Sequence, residues 1–213
     1  MLRLYDYLPS QNAWKVRLLL HHLQLPYEQI KVSIFEGDSR TDAFLAMNPA
    51  GATPVLEVKP GRFLAESNAI LCYLAEGTRY LPVAPLARAE VLQWLFFEQS
   101  YVEPQIGSLR YWTLTGKLDR RSPDMITAKR DASLRALAAL ERHLSKHHFL
   151  AENCYTIADM AVYAYAALAG EAGIDLTPYP AFRDWTKRIE EQPGFLAERF
   201  DYSIDPHATR ELG

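Results

Sequence analysis

The sequence predicts two domains of different class, an α/β domain at the N-terminal end and an all-helical domain after it. Three observations carry this prediction. Up to about residue 77, short runs with the two-residue period of a strand are interleaved with runs at helical spacing. Beyond the Pro82–Pro85 segment the strand period is gone and only the helical one remains. The Gly77–Pro85 stretch between them has the composition of a loop. The domains are therefore placed at 1–77 and 87–213, with 78–86 as the linker.

Each element has a local reason. Leu2 and Leu4 alternate with Arg3 and Tyr5, which reads as a short strand. Trp14 to Leu23 reads as a helix, preceded by Pro9 and Ser10 and stopped by Pro26. Ile30, Val32 and Ile34 alternate with Lys31 and Ser33 as a second strand, and a short helix through Ala43-Phe44-Leu45 follows. Val55 to Val58 and Arg62 to Ala65 form a hairpin around Lys59-Pro60-Gly61, and Ser67 to Ala75 is a helix. The order, βαβ and then αββα, matches a thioredoxin-like half. In the second domain Val91, Leu95, Val102, Ile106 and Leu109 mark one long helix, with a kink expected at Pro104. Leu134, Leu137, Leu140 and Leu144 mark another, and Thr156 to Leu168 and Ala181 to Ile189 two more.

Bulk properties narrow the function classes. Hydrophobic residues make up 49% of the 213 and charged residues 23%, ordinary values for a globular protein with well-formed cores. A net charge of −3 gives no electrostatic reason to expect nucleic acid or an anionic membrane as partner. The two cysteines, Cys72 and Cys154, lie far apart without Cys-x-x-Cys spacing, which suits a reducing compartment. Met1-Leu2-Arg3-Leu4-Tyr5-Asp6 lacks the apolar core of a signal peptide, and Leu18-Leu19-Leu20 soon meets His21-His22, too short for a membrane span. A cytoplasmic protein is expected.

The motif with most chemical content is Asn48-Pro49-Ala50-Gly51-Ala52-Thr53-Pro54-Val55-Leu56, followed by Glu66-Ser67-Asn68. Proline at the start of a strand removes a ladder donor, and chains retain it there when the bond before it is cis and the turned-out backbone has a use. Thr53 then has its N–H and C=O available to hold an extended peptide-like ligand in strand fashion. Ser67 opens a helix, whose N-terminus attracts a carboxylate. Together they describe a pocket for a small acidic peptide.

These motifs, with Ser10-Gln11-Asn12 at the first helix, Glu66-Ser67-Asn68-Ala69-Ile70 and Thr156-Ile157-Ala158-Asp159, resemble those of the cytosolic glutathione transferase family over essentially the full length of the chain. The serine at position 10 is similar to the theta-like and related bacterial branches, and Ser10-x-Asn12 to the nu-type pattern. The resemblance implies a thioredoxin-like glutathione-binding domain, a helical domain and a homodimer. It also implies glutathione as co-substrate, no metal, and a small hydrophobic electrophile as second substrate.

A glutathione thiol with a pKa of about 8.5 is only slightly ionised at neutral pH, so such an enzyme gains rate by stabilising the thiolate. The resemblance implies that Ser10 and Asn12 do this, as hydrogen-bond donors aided by the amides of the helix N-terminus. Serine is also a preferred helix cap, and asparagine shapes turns, so each has a structural reading beside the functional one. Tyr5 and Tyr7 are read as strand packing. For binding, the resemblance implies that the Thr53 main chain pairs with the cysteinyl unit next to cis-Pro54. Glu66 accepts from the γ-glutamyl ammonium and Ser67 holds the α-carboxylate, while Arg40 is open to two readings, contact with the glycine carboxylate or plain solvation in its loop. Ala52 departs from the family, where lysine or glutamine is common at this position.

Other signals are read as structural. Thr156-Ile157-Ala158-Asp159 is a capping box rather than a catalytic aspartate. His143 and His147 share a helix face without a third metal ligand. Tyr101, Tyr111 and Trp112 are read as core or interface, with one or two of them open to lining an electrophile pocket above Ser10 as the resemblance implies, and Arg110 as a ligand or subunit contact. Two alternatives to conjugation stand: a glutathione-dependent disulfide reductase or peroxidase, and a non-catalytic binding module that kept the fold.

Overall fold

The computed structural model describes residues 1–211. The chain divides into two compact units, one of Met1–Leu74 together with the segment from Pro193 onward, the other Ala75–Gln192. An α/β thioredoxin-like unit and a helical unit are therefore present, as the sequence predicts. The segment from Pro193 differs: the sequence reading placed it with the helices, yet it packs on the first unit.

The first unit is built on a four-stranded sheet of β1 (Leu2–Asp6), β2 (Tyr27–Lys31), β3 (Val55–Lys59) and β4 (Arg62–Leu64) in the order β2-β1-β3-β4. β1 runs parallel to β2 and antiparallel to β3, and β3 pairs antiparallel with β4. Leu4 and Leu56 face one another in register and are fully buried. On another part of the sheet Tyr5, Val55 and Phe63 pack with Val32, Phe44 and Met47. β2 begins before Ile30 and ends before Val32, although the Val32 N–H still bonds to the Asp6 carbonyl at 2.9 Å. The helices are α1 (Gln11–His22), α2 (Asp42–Leu45) and α3 (Ser67–Ala75).

α1 explains why the chain end returns. Ala13, Trp14, Val16, Leu18 and Leu19 are all fully buried, so this helix has no wide polar face to give to water. The segment after Pro193 covers part of it. Phe195 packs edge-on to Trp14 at 5.9 Å, the Trp14 indole N–H donates to the Glu198 carbonyl at 3.1 Å, and Arg17 lies 5.7 Å from the Phe200 ring.

The helical unit contains α4 (Pro85–Phe97), α5 (Ser108–Leu114), α6 (Pro123–Leu144), α7 (Ile157–Ala166) and α8 (Pro180–Glu190). The long helix expected through Val91 and Leu109 is instead α4 and α5 joined by a π-type stretch, Glu98–Gly107, with Pro104 inside it. Proline supplies no N–H and its ring collides with the carbonyl four residues back, so a wider hydrogen-bond spacing accommodates it without ending the helix. Close approach accompanies this stretch: a Cβ on Gly107 would stand 2.8 Å from the Tyr165 ring of α7. The buried face of α6 is Ser133, Ala136, Leu137, Leu140 and Leu144, whereas Leu134, expected there, is 38% exposed.

Every residue of α7 is buried, so its polar groups are satisfied internally. Thr156 and Asp159 form the expected capping box, with the Thr156 N–H donating to Asp159 Oδ2 at 3.0 Å and the Ala158 N–H to Thr156 Oγ1 at 3.2 Å. The other Asp159 oxygen, Oδ1, accepts from the Leu150 N–H at 3.0 Å and the Trp185 indole N–H at 2.9 Å. Burial pushes this carboxyl up from its ordinary value to about 6, while the donors from Trp185, Leu150 and Thr156 pull it back down. Among the described residues no helix is long and apolar enough to cross a membrane.

Candidate functional site

The residues singled out in the first unit gather where α1, α3 and β3 begin. Ser10 is the N-cap of α1: its Oγ accepts from the Ala13 N–H at 3.3 Å and its carbonyl from the Trp14 N–H at 2.9 Å. The capping reading of Ser10 therefore holds. A hydroxyl that accepts one bond retains its hydrogen, so capping and donation to a ligand are compatible. Asn12 is the second residue of the helix, and its Oδ1 accepts from Ser67 Oγ at 3.2 Å. This bond joins the starts of α1 and α3 across 55 residues of sequence.

The Thr53–Pro54 peptide is cis. No hydrogen bond among the described residues occupies the Thr53 N–H or C=O. The loop before it is rigidly tied. Asn48, 4% exposed, donates to the Ala52 carbonyl at 2.8 Å and accepts from the Ala50 N–H at 3.1 Å. Arg40 Nη1 donates to the Ala50 carbonyl at 3.0 Å, so it braces this loop rather than pointing away from it. Gly51, at φ +62°, is required here, because a Cβ would collide with the Arg40 guanidinium and stand 2.9 Å from the Ser39 carbonyl oxygen.

Glu66 sits in the left-handed region at φ 64°, which for a residue with a Cβ costs roughly 1–2 kcal/mol. Its carbonyl accepts from the Ile70 N–H at 2.9 Å, while its side chain is exposed. Strain of this kind persists where the surrounding structure over-determines the backbone, as at ligand clamps. Ser67 is 5% exposed at the head of α3. Tyr5 and Tyr7 are packing residues: Tyr5 meets Phe44 and Phe63 edge-on, and the 5%-exposed Tyr7 meets Phe35.

Two supports were not singled out from the sequence. Asp6 and Arg17 form a buried ion pair at 2.6 Å, Gln29 donates to the same Asp6 oxygen, and Arg17 Nη2 donates to the Leu8 carbonyl at 2.9 Å. This network fixes the turn between β1 and Ser10. Its signal was an arginine inside the apolar run Val16–Leu20. Gln11, 1% exposed, donates from Nε2 to the Pro9 carbonyl at 3.2 Å and so bridges the residues on either side of Ser10.

The other sequence candidates lie in the helical unit. Arg110 is buried and bonds Glu171 at 2.6 Å, a structural ion pair. Tyr101 is exposed and packs against Phe97. His143 and His147 stack at 4.3 Å, and burial, with the His147 charge, holds His143 below its ordinary value. Cys72, on α3 of the first unit, is half-buried and Cys154 is exposed, and neither is in a disulfide.

A cis-proline loop with an open Thr53 backbone, a left-handed Glu66 before a buried Ser67, and a serine-capped first helix stand on a fold of the thioredoxin-like class. A glutathione S-transferase N-terminal domain model matches residues 9–76 and a C-terminal domain model residues 88–193. The chain belongs to the glutathione S-transferase family. The disulfide-bond oxidoreductase YfcG of Escherichia coli is 30% identical over 91% of this chain and 92% of its own length. The glutathione S-transferase GstB of Escherichia coli is 30% identical over 91% and 95%. Among solved structures, a possible glutathione S-transferase from Rhodopseudomonas palustris is 43% identical with a TM-score of 0.89, over 92% of this chain and 97% of that one. The glutathione transferase URE2P6 from Phanerochaete chrysosporium, in complex with oxidized glutathione, is 29% identical with a TM-score of 0.82, over 91% and 92%.

Proposed function

We propose that the protein is a glutathione transferase that binds glutathione on its first unit and stabilises the thiolate for attack on a hydrophobic electrophile. The observation that carries this reading is the Asn12–Ser67 bond, which brings the candidate thiol end, Ser10 and Asn12, and the candidate γ-glutamyl end, Glu66 and Ser67, to adjoining helix starts. Thr53 pairs with the cysteinyl main chain between them. Arg40, held across the Asn48–Ala52 loop, acts at the glycine end, and Ala52 offers that end no long polar side chain. Ser10 and Asn12 are donors that cannot serve as general bases at neutral pH, so their part is electrostatic. By family likeness the protein works as a homodimer, and its composition and free thiols suit the cytoplasm.

Disulfide reduction is the second reading, favoured by the likeness to YfcG. The thiolate of one glutathione attacks the glutathionyl sulfur of a mixed disulfide. The S–S bond breaks, oxidised glutathione forms, and the other sulfur leaves as a thiolate and takes a proton from solvent. Calorimetry with glutathione, followed by turnover with a chloroaromatic and with a mixed disulfide, tests both readings. Binding at millimolar concentration or tighter with chloroaromatic turnover is expected. Turnover of the disulfide alone selects the second reading, and absence of binding leaves a non-catalytic module.

Glu66→Gly should act in opposite directions on fold and function. Relief of the left-handed strain, less the greater freedom of glycine in the unfolded chain, raises stability by up to about 1 kcal/mol. Loss of the carboxylate facing the ammonium weakens glutathione binding about tenfold. Denaturant midpoints and calorimetry on one preparation read both. A variant that is less stable, or that binds as tightly as the parent, contradicts this account of Glu66.

A further inference from the structure

We propose that Arg199, in the segment after the helical unit, is a positioning residue for the thiol-activating turn, acting through Gln11. The proposal rests on the reading that Ser10 contacts the glutathione sulfur. Arg199 Nη1 donates to Gln11 Oε1 at 2.8 Å, and its guanidinium carbon lies 4.0 Å from the centre of the Trp14 ring. The neighbouring Glu198 carbonyl accepts from the Trp14 indole N–H at 3.1 Å. Two consecutive residues of the chain end therefore engage two residues of α1 that stand one turn apart, Gln11 and Trp14.

The chemistry of the pair gives it direction. A guanidinium only donates, so it dictates which end of the Gln11 amide faces it. With Oε1 committed to Arg199, Nε2 must point the other way, to the Pro9 carbonyl at 3.2 Å. Pro9 and Gln11 flank Ser10, so the amide spans the residue whose hydroxyl meets the sulfur. Gln11 is 1% exposed, and a charge-assisted bond in that setting is stronger than a neutral one. Without Arg199 the amide is free to turn, the Pro9 bond is released, and the Ser10 hydroxyl loses its fixed place. Misplacement on the order of 1 Å at a reacting centre costs about 100-fold in rate. The groups proposed to hold the rest of glutathione, Thr53, Glu66 and Ser67, make no bond to Arg199.

The test is Arg199→Ala in the full-length protein, with glutathione affinity by calorimetry and turnover in whichever assay the parent supports. Turnover about 10-fold or more below the parent is expected, with glutathione affinity within about 2-fold. Gln11→Met removes both amide bonds while leaving Arg199 stacked on Trp14, and should lower turnover by a similar factor. The double variant should be no worse than the worse single one, because both changes break one relay. Arg199→Lys, which keeps a donor without the planar stack, should restore part of the turnover. A merely structural role would lower thermal stability alone and give additive losses, and that result overturns the proposal. Parent-like turnover in Arg199→Ala also overturns it. A parent that binds no glutathione overturns the underlying reading and this one with it, and calorimetry on the parent separates that outcome from the rest.

Discussion

Ser10→Ala should lower turnover by about 10–100-fold while leaving glutathione affinity little changed. A hydrogen bond to a charged acceptor is worth about 1.5–3 kcal/mol, and this one strengthens as the sulfur becomes anionic, so its loss falls on the rate rather than on binding. The same substitution removes a helix cap, since Ser10 Oγ accepts from the Ala13 N–H, which costs about 1 kcal/mol of stability. The two roles separate with two further variants. Ser10→Gly loses only a few tenths of a kcal/mol as a cap but loses the hydroxyl entirely, so it should match Ser10→Ala in rate while unfolding closer to the parent. Ser10→Thr keeps both functions and should retain most turnover. Full turnover in Ser10→Ala would assign the thiol contact to Asn12 or to solvent.

The elements that could be read from the sequence are those whose cause is local. α3 runs over Ser67–Ala75 as expected, because a serine at the start and an apolar period sit within one short window. The β3–β4 hairpin follows from Pro60-Gly61 between two apolar runs. The π-type stretch at Glu98–Gly107 was not legible, because a proline announces a missing donor without saying how the following turns regroup their bonds. The return of the segment after Pro193 depends on a contact between Trp14 and Glu198, far apart in the chain. Its only trace in sequence was that the run from Ala13 to Leu20 offers no continuous polar face.

The candidate site divides in the same way. Thr53-Pro54, Glu66-Ser67 and Ser10 announce themselves because each belongs to a short motif at a strand or helix start. Even there the sequence does not show that Glu66 is held at φ 64°, a conformation glutamate adopts only when its neighbours enforce it. Asn12 meeting Ser67, Arg40 lying over Gly51, and Gln11 reaching Arg199 are pairings between separate elements. A residue type at one position carries no information about which distant partner it will meet. Arg110, open in sequence to a ligand or subunit role, is committed to Glu171 for that reason.

Asp159→Asn should destabilise the protein by about 2–4 kcal/mol although it conserves volume. The carboxylate is fully buried and accepts from the N–H groups of Thr156, Leu150 and Trp185 and from the Thr156 hydroxyl. An asparagine offers one oxygen, and its NH2 turns two hydrogens towards groups that are themselves donors. Each buried donor left unsatisfied costs about 1–3 kcal/mol. Asp159→Ala loses every acceptor and opens a cavity, so it should be at least as harmful. The pH dependence has a definite sign. Burial raises the folded carboxyl from its ordinary value to about 6, so the folded protein holds this proton more tightly than the unfolded chain does. The contribution of Asp159 to stability is fully present below the unfolded value and is lost as pH rises through about 6. The gap between the parent and Asp159→Asn, read from denaturant midpoints, should therefore narrow between pH about 4 and about 7. A gap that widens over that range would mean that the four donors, not burial, dominate the carboxyl, and a gap near zero at every pH would remove Asp159 from the centre of the helical unit.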